Sequence, residues 1–183
     1  MSNPGVINDP CFSAAWLEER LKLIWFQLKT ALLTRDTRYI RSAIAPELLN
    51  RLLSVGPDSD GFIIVPSRGA VLRLVLSDIA VGDGMEYLRC IMSTKSRRMM
   101  LNPQTGATKL LDKRDVVFEE TWSLRRPAGT QTPPEETAFD THCEGCGAAV
   151  VLYRDTTCPF CKAFIKVPDF TWTVYEIDVE RMN

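Results

Sequence analysis

Four cysteines in two pairs are the residues of this chain best suited to chemistry. Cys143 and Cys146 form one CxxC pair, Cys158 and Cys161 form the other, and residues 147 to 157 separate them. Two residues between cysteines let a tight turn direct both thiolates at one ion, and a short β-hairpin brings the second pair opposite the first. Gly147 favours the left-handed turn of such a knuckle. The spacing therefore predicts one structural zinc ion per chain, held by these four cysteines.

Two other interpretations of this segment are weaker. Cys158-Pro-Phe-Cys161 alone matches the CxxC frame of thioredoxin-type oxidoreductases, whose first cysteine is activated at a helix N-terminus. The following KAFIKVP is a poor helix start, and a redox site has no use for a second pair. The only histidine, His142, is a conceivable ligand, but four cysteines already complete a tetrahedral site. We interpret His142 as a solvent-facing neighbour.

Side chains outside the cysteine segment give little indication of catalysis. With the only histidine beside the cysteines, no Ser-His-Asp or Cys-His arrangement can form elsewhere. Catalysis by carboxylates alone has four candidates: Asp112, Asp115, Glu119 and Glu120. They are mixed with Lys113 and Arg114 in the segment DKRDVVFEE, which is typical of a solvated strand end. We predict no catalytic residue, no cofactor besides zinc, and a protein that is not an enzyme.

Net charge limits the partners that this chain attracts. Lys and Arg total 22 and Asp and Glu total 23, so the net charge is -1 and no global positive field draws the protein to nucleic acid. The most basic run, Lys95 to Arg98, would alternate between the faces of a strand, and we interpret it as a solvated sheet edge. A second basic group consists of Arg35, Arg38 and Arg41. We predict a protein partner, weak contact at most with an anionic membrane surface, and no nucleic-acid partner.

Apolar periodicity predicts three helices in the first third of the chain. The first is capped by Asp9 with Pro10 in its first turn, the second runs from Asp36 to Ala43, and the third begins at Pro46 and ends before Gly56. The apolar face of the first helix repeats every three or four residues. That face consists of Leu17, Leu21, Ile24, Trp25, Leu28 and Leu32. We interpret Trp16 and Trp25, both on or near the buried side of this helix, as core residues rather than a cofactor platform.

Strands follow the helices instead of alternating with them. The β-branched runs are FIIVP, AVLRLVLSDIAV, EYLRCIMSTKSRRMML and DVVFEETWSLRR, with turns at Gly82 to Gly84 and Asn102 to Gly106. A last strand, FTWTVYEIDVE, spans Phe170 to Glu180. The order predicts an α+β fold: N-terminal helices on a curved antiparallel sheet, with a small zinc ribbon before the last strand. The predicted domain comprises 1–128 plus 170–183, the linker 129–141 and the ribbon 142–169.

The N-terminal sequence and the remaining cysteines bear on location. MSNPGVINDP lacks the cationic start and apolar stretch of a signal peptide, and no segment approaches the ~20 apolar residues of a membrane span. We predict a cytoplasmic protein, peripheral at most to the inner membrane. Thiols stay reduced there, so we interpret Cys11 and Cys90, which have apolar neighbours, as small buried hydrophobes.

Three segments of the chain resemble the Tim-forty-four-like domain, named after a peripheral subunit of the mitochondrial import translocase and found also in bacterial proteins. They are the opening helix with Trp25 and Phe26, the stretch RDTRYIRSAIAPELLNRL, and FEETWSLRR, which resembles the family's "v.e.WtF.R" strand. Some bacterial members are also similar in carrying a CxxC…CxxC ribbon before a closing strand. The matching positions of that strand are Phe170, Trp172, Val174 and Ile177.

The resemblance implies a cone-shaped α+β domain, similar to nuclear-transport-factor-two-like proteins, with a pocket or groove between helices and sheet. It also implies a non-catalytic role in binding a protein partner or a membrane surface. We expect a bacterial cytosolic adaptor, docked on a membrane-associated complex. The alternative is a small-molecule-binding or catalytic protein that uses the conical pocket, which would then place a carboxylate or histidine among apolar wall residues. A CxxC redox protein is the less favoured third hypothesis.

Overall fold

The computed structural model describes residues 7, 9–132, 140–143, 145–151, 158–163 and 171–182. These residues form two helices and seven strands. The helices are α1 (Ala14–Thr34) and α2 (Pro46–Leu53). The strands are β1 (Ile63–Gly82), β2 (Met85–Leu101), β3 (Thr108–Leu110), β4 (Val116–Pro127), β5 (Asp140–His142), β6 (Ala149–Val151) and β7 (Thr173–Arg181).

One curled antiparallel sheet carries the fold. Its strand order is β1-β2-β4-β7, with β3 paired to the end of β2, while β5 and β6 form a separate two-stranded sheet. The predicted α+β class with helices against a curved antiparallel sheet is therefore confirmed. The predicted closing strand is also found: β7 pairs with β4, and Ile177 lies opposite Trp122. Phe170, its predicted start, lies outside the described residues, as do parts of the proposed linker and ribbon, and those boundaries stay predictions.

The curl of the sheet has a local cause in β1. Its pairing with β2 shifts register at three places, and each bulge bends the strand and increases its twist. Gly69 lies in this strand against helix α1. A Cβ at Gly69 would come within 2.7 Å of the Trp25 ring and 2.8 Å of the Lys95 carbonyl oxygen. The missing side chain therefore lets the helix close onto the sheet.

The core lies between the apolar face of α1 and the inner face of the sheet. Every predicted apolar position of α1 is buried or packs against this core, which confirms the interpretation of Trp25 as a core residue. The sheet contributes alternate residues of β2, β4 and β7. Among them are Met92, Trp122, Leu124 and Val174, and Trp172 packs with them just before β7.

Two predictions about the helices are wrong: the start of the first helix and the existence of the second. Helix α1 begins at Ala14, because the Ser13 hydroxyl accepts the Trp16 N–H, so Asp9 is not its cap. Residues 36–43 form turns and no α-helix: the Asp36 carboxylate accepts the backbone N–H of Arg38, which favours a turn over a helix. The third predicted helix is confirmed as α2, with a proline in its first turn.

The two predicted turns of the sheet are present. Asp83 and Gly84 join β1 to β2 with φ of 53° and 72°, the left-handed pair of a two-residue hairpin turn. Gly106, with φ of 72°, ends the second turn. The basic run Lys95 to Arg98 lies in β2, between two partner strands, so its interpretation as a sheet edge is wrong. Among the described residues, no helix has the length and hydropathy to cross a membrane.

Candidate metal centre

The first cysteine pair lies in a compact turn that follows strand β5. The Cys143 N–H donates to the Ala148 carbonyl oxygen over 2.9 Å, and the Gly147 N–H donates back to the Cys143 carbonyl oxygen over 2.7 Å. Gly147 has a φ of 71°, which reverses the chain after the second cysteine of the pair. The turn leaves both sulfurs on one side, and we call it the first knuckle.

The second cysteine pair repeats the same turn. The Cys158 N–H donates to the Ala163 carbonyl oxygen over 2.8 Å, and the Lys162 N–H donates to the Cys158 carbonyl oxygen over 3.0 Å. Lys162 has a φ of 62°, so a non-glycine residue occupies the left-handed position here. This second knuckle shares both of these backbone hydrogen bonds with the first. Two such loops facing each other are a geometry suited to one shared ion.

The sulfur atoms lie at the spacing that a tetrahedral ion requires. All four Sγ atoms are within 4.8 Å of one another. The Sγ atoms of Cys143 and Cys161 are 3.4 Å apart, and those of Cys146 and Cys158 are 3.6 Å apart. A zinc ion with bonds of about 2.3 Å would separate its sulfurs by about 3.8 Å. No disulfide joins these cysteines, and the four predicted ligands are positioned to hold a metal ion.

The electrostatics of the cluster also favour a cation. Backbone N–H groups of Cys161 and Phe160 point at the Cys158 sulfur and lower its pKa to about 7. At Cys161 the Ala163 N–H acts in the same direction, but the neighbouring sulfurs of Cys143 and Cys146 outweigh it and raise the pKa to about 12. Four thiolates this close repel one another, and a bound divalent cation offsets that repulsion.

Gly145 brings the knuckles together, which the spacing of the cysteines does not reveal. A Cβ at this position would lie 3.1 Å from the Ala163 Cβ and 3.4 Å from the Cys161 Sγ. Its N–H also points at the Cys143 Sγ, 3.4 Å away. A bare glycine between the first two cysteines therefore permits the close approach of the second knuckle. His142 is exposed on β5 and is not part of the four-sulfur cluster, as predicted.

A buried carboxylate lies far from the cysteines, in the core beneath α1. Glu120 is 2% exposed. It accepts hydrogen bonds from four side chains: Trp25 Nε1 at 2.8 Å, Thr94 Oγ1 at 3.0 Å, Trp122 Nε1 at 3.1 Å and Lys29 Nζ at 3.3 Å. The interpretation of Glu120 as part of a solvated strand end is therefore wrong. The sequence does carry the signal, because Glu120 shares its parity with Phe118, Trp122 and Leu124 on the core face of β4.

The other candidate carboxylates have structural partners. Asp112 is buried, and both its oxygens accept hydrogen bonds from Arg98, which lowers the pKa of its carboxyl group. Asp115 pairs with Arg68 and Arg97, each at 3.2 Å. These ion pairs show no free acid or base poised for catalysis at either position.

Two cavities open beside Glu120, between α1 and the first part of β1. One has a volume of about 310 Å³ and is lined by Trp25, Phe26 and Lys29 on the helix side. The second, of about 140 Å³, reaches Glu120 itself. Lys29 and Pro66 line both. The ammonium group of Lys29, which also lies 5.1 Å from the centre of the Trp25 ring, therefore contacts both cavities and donates to Glu120 in the wall of the smaller one.

Arg126, at the opposite end of β4, collects distant parts of the chain. Its buried guanidinium pairs with Glu86 at 2.6 Å and Asp9 at 2.9 Å, and lies 4.5 Å from the centre of the Trp172 ring. Thr132 donates to the Asp9 carboxylate through its backbone N–H. Burial alone would raise the pKa of Asp9, but the hydrogen bonds from Thr132 and Arg126 outweigh it and hold that pKa below its usual value.

The two remaining cysteines differ from each other. Cys90 is buried in the sheet core, and burial raises the pKa of its thiol to about 12, which confirms the interpretation as a small hydrophobe. Cys11 is exposed, so the same interpretation is wrong there.

Comparison of this chain with protein-family models, with curated proteins and with solved structures gives no match.

Proposed function

We propose that this protein is a non-catalytic, zinc-stabilised interaction module. The observation that carries the proposal is the pair of matched knuckles, which aim four cysteine sulfurs at one point. Four protein ligands fill every position of a tetrahedral zinc ion, so no position is left for water or substrate. Zinc in such a site stabilises the loops that bind it and does no chemistry on a substrate.

The metal prediction has a direct test. The purified protein is expected to contain about one zinc per chain, and Cys143→Ser or Cys158→Ser is expected to lose it, because the three remaining sulfurs bind less tightly. Elemental analysis measures the metal, and an absorption spectrum distinguishes colourless zinc from coloured iron. Cys90→Ser is the matched control and should keep the ion. A metal-free protein with an oxidised Cys158–Cys161 pair would instead support the redox hypothesis.

The proposed interaction is with a protein, as in the Tim-forty-four-like adaptors that the sequence resembles. Phe160, at the tip of the second knuckle, is 73% exposed, the most of any large apolar side chain in the described part of the chain. Three cations of the basic groups considered for membrane contact are already in ion pairs: Arg38 pairs with Asp36, Arg97 with Asp115, and Arg98 with Asp112. Because ion-paired side chains attract an anionic surface weakly, a protein partner supplies most of the recruitment.

A second candidate function is binding of a small molecule in the cavities beside Glu120. The observation in its favour is a buried carboxylate among apolar residues in the wall of the smaller cavity. That is the arrangement expected of a ligand-binding or catalytic cone rather than of a plain adaptor.

One experiment separates these two functions. The full chain is purified from its own host under native conditions and analysed by mass spectrometry, beside Phe160→Ser and Glu120→Gln. The adaptor proposal expects a stoichiometric protein partner that Phe160→Ser loses and Glu120→Gln keeps, with Val55→Ser, another exposed apolar residue, as the control. A small molecule that only Glu120→Gln loses would replace the adaptor proposal with the second function.

A further inference from the structure

The outer face of the curled sheet, which points away from α1, is organised in rows. Paired residues of neighbouring strands lie side by side, so the register defines which side chains form each row. One row consists of Arg73, Ser93, Glu119 and Glu180. The next consists of Val75, Ile91, Thr121 and Asp178. Arg89, Ser123 and Glu176 continue the pattern on β2, β4 and β7.

The rows give this outer face two halves of opposite charge. Among the described residues, five cations lie on the β1–β2 half: Arg68, Arg73, Arg89, Lys95 and Arg97. Two carboxylates accompany them, Asp78 paired with Arg89 and Asp115 paired with Arg68 and Arg97. Four carboxylates lie on the β4–β7 half: Glu119, Glu176, Asp178 and Glu180. Their one described companion cation is Arg125, whose guanidinium lies over the Tyr175 ring.

Uncharged side chains separate the two halves. Ile91 and Thr121 are paired at the boundary between β2 and β4, and Val75, 37% exposed, lies beside Ile91 on β1. The rings of Tyr87 and Tyr175 meet edge to face with centres 6.3 Å apart. Aromatic and aliphatic residues at a centre flanked by charges are the usual composition of a protein interface. The face therefore has an apolar centre with a basic side and an acidic side.

We propose that this outer face binds a second copy of the same chain, in a dimer whose two-fold axis runs parallel to the strands. Rotation about that axis places the β1–β2 half of each copy against the β4–β7 half of the other, so both contacts join opposite charges. An axis across the strands would place like charges together, which disfavours it. The resulting interface is self-complementary, as a two-fold dimer requires.

The dimensions of the face set the strength of the dimer. Four strands about 4.8 Å apart and about eight residues of about 3.3 Å each give a patch of roughly 14 by 26 Å. This is smaller than the roughly 800 Å² per partner of a standard stable interface. The dimer is therefore weak, forms at micromolar concentrations of protein, and depends strongly on the charge pairs.

Salt dependence is the first measurement. Sedimentation velocity of the zinc-loaded full chain at about 100 µM is expected to show mostly dimer in about 20 mM salt. In about 0.5 M salt, where charges are screened beyond about 4 Å, dissociation is expected to become at least about tenfold easier. A monomer at low salt, or a dimer indifferent to salt, would overturn the proposal.

Charge exchange tests the face itself. A basic-half variant, Arg73→Glu/Arg89→Glu, and an acidic-half variant, Glu176→Lys/Glu180→Lys, should each be monomeric, because the exchanged side chains then face like charges on the partner. An equimolar mixture of the two should dimerise again, since the exchanged side chains of each variant then face opposite charges on the other. Recovery in the mixture also shows that both variants fold.

A control of equal net charge excludes general attraction between the variants. Arg41→Glu/Arg51→Glu and Glu47→Lys/Asp60→Lys change the net charge by the same amounts at exposed positions away from this face. Each control variant should dimerise by itself like the unmodified chain, within about threefold in dissociation constant. If the control variants lose the dimer, or if the charge-exchanged mixture stays monomeric, the outer face is not the interface.

Discussion

At the residue scale, the same position in each knuckle is filled by different amino acids. Gly147 and Lys162 both have left-handed backbone angles, with φ of 71° and 62°. For a residue other than glycine, that backbone conformation costs about 1–2 kcal/mol. The second knuckle therefore carries strain that the first avoids.

This difference predicts opposite effects of two substitutions on zinc affinity. Gly147→Ala is expected to weaken binding about fivefold or more, because it adds the strain of about 1 kcal/mol, whereas Lys162→Gly should match or exceed the affinity of the unmodified chain. Competition with a chromophoric chelator measures both. Lys162→Ala, which removes only the hydrogen bond from Lys162 Nζ to the Pro159 carbonyl oxygen, is the control. Equal weakening by Lys162→Gly and Gly147→Ala would show that backbone strain is not the cause.

The sequence predicts the ligands of the metal centre but not its surroundings. Two CxxC pairs identify the four sulfurs, because the spacing restricts them to one tight loop each. The crowding at Gly145 depends on how two knuckles meet across the chain, which local spacing does not encode. The burial of Glu120 is mispredicted for a different reason: its charged neighbours suggest solvent, although its parity with Trp122 places it on the core face.

At the scale of elements, the sheet is completed by strand β7, which follows the cysteine segment in the chain. It pairs with β4 from Phe118 to Arg125, and its approach buries Trp172 against Arg126. Thr132, before the cysteines, contacts the same guanidinium at 3.3 Å. The chain therefore leaves and rejoins the sheet at one place.

Two deletions test this dependence. Truncation after Arg126 removes β7 and is expected to unfold the whole sheet, because the loss of Trp172 packing alone costs roughly 3–5 kcal/mol. Replacing residues 133–170 with a flexible linker of about ten residues keeps β7 and should leave a cooperative melt. Circular dichroism during heating measures both variants. A truncated chain that melts cooperatively would show that β7 is dispensable.

The elements illustrate what local pattern can and cannot decide. Alternation in FEETWSLRR and TWTVYEIDVE predicts strands whose buried sides face one core, and both are found. The turns at residues 36–43 have helical composition, but the Asp36 carboxylate binds a nearby backbone N–H and diverts the chain from a helix. Over a short segment, such a local hydrogen bond can stabilise a turn more than the apolar periodicity stabilises a helix.

At the scale of the whole molecule, net charge is a poor guide to the surface. A total of -1 predicts no strong electric field. On the outer face of the sheet, however, strand pairing places most cations on β1 and β2 and most carboxylates on β4 and β7. Composition cannot show this separation, because it arises only when the register places distant segments in one row. The α+β class follows from the order of elements, whereas the charge distribution requires the completed sheet.

The position of the knuckles in the chain has a consequence for folding kinetics. Between the end of β4 and the start of β7 lie residues 128 to 172, so 45 residues must close into a loop before these strands pair. A metal ion that ties Cys143 to Cys161 shortens the free path to about 28 residues, which lowers the closure entropy by only about 0.4 kcal/mol. That corresponds to about a twofold change in rate. Refolding of the sheet is therefore expected to proceed at nearly the same speed with and without the ion, and the metal orders its own knuckles rather than the strands that flank them.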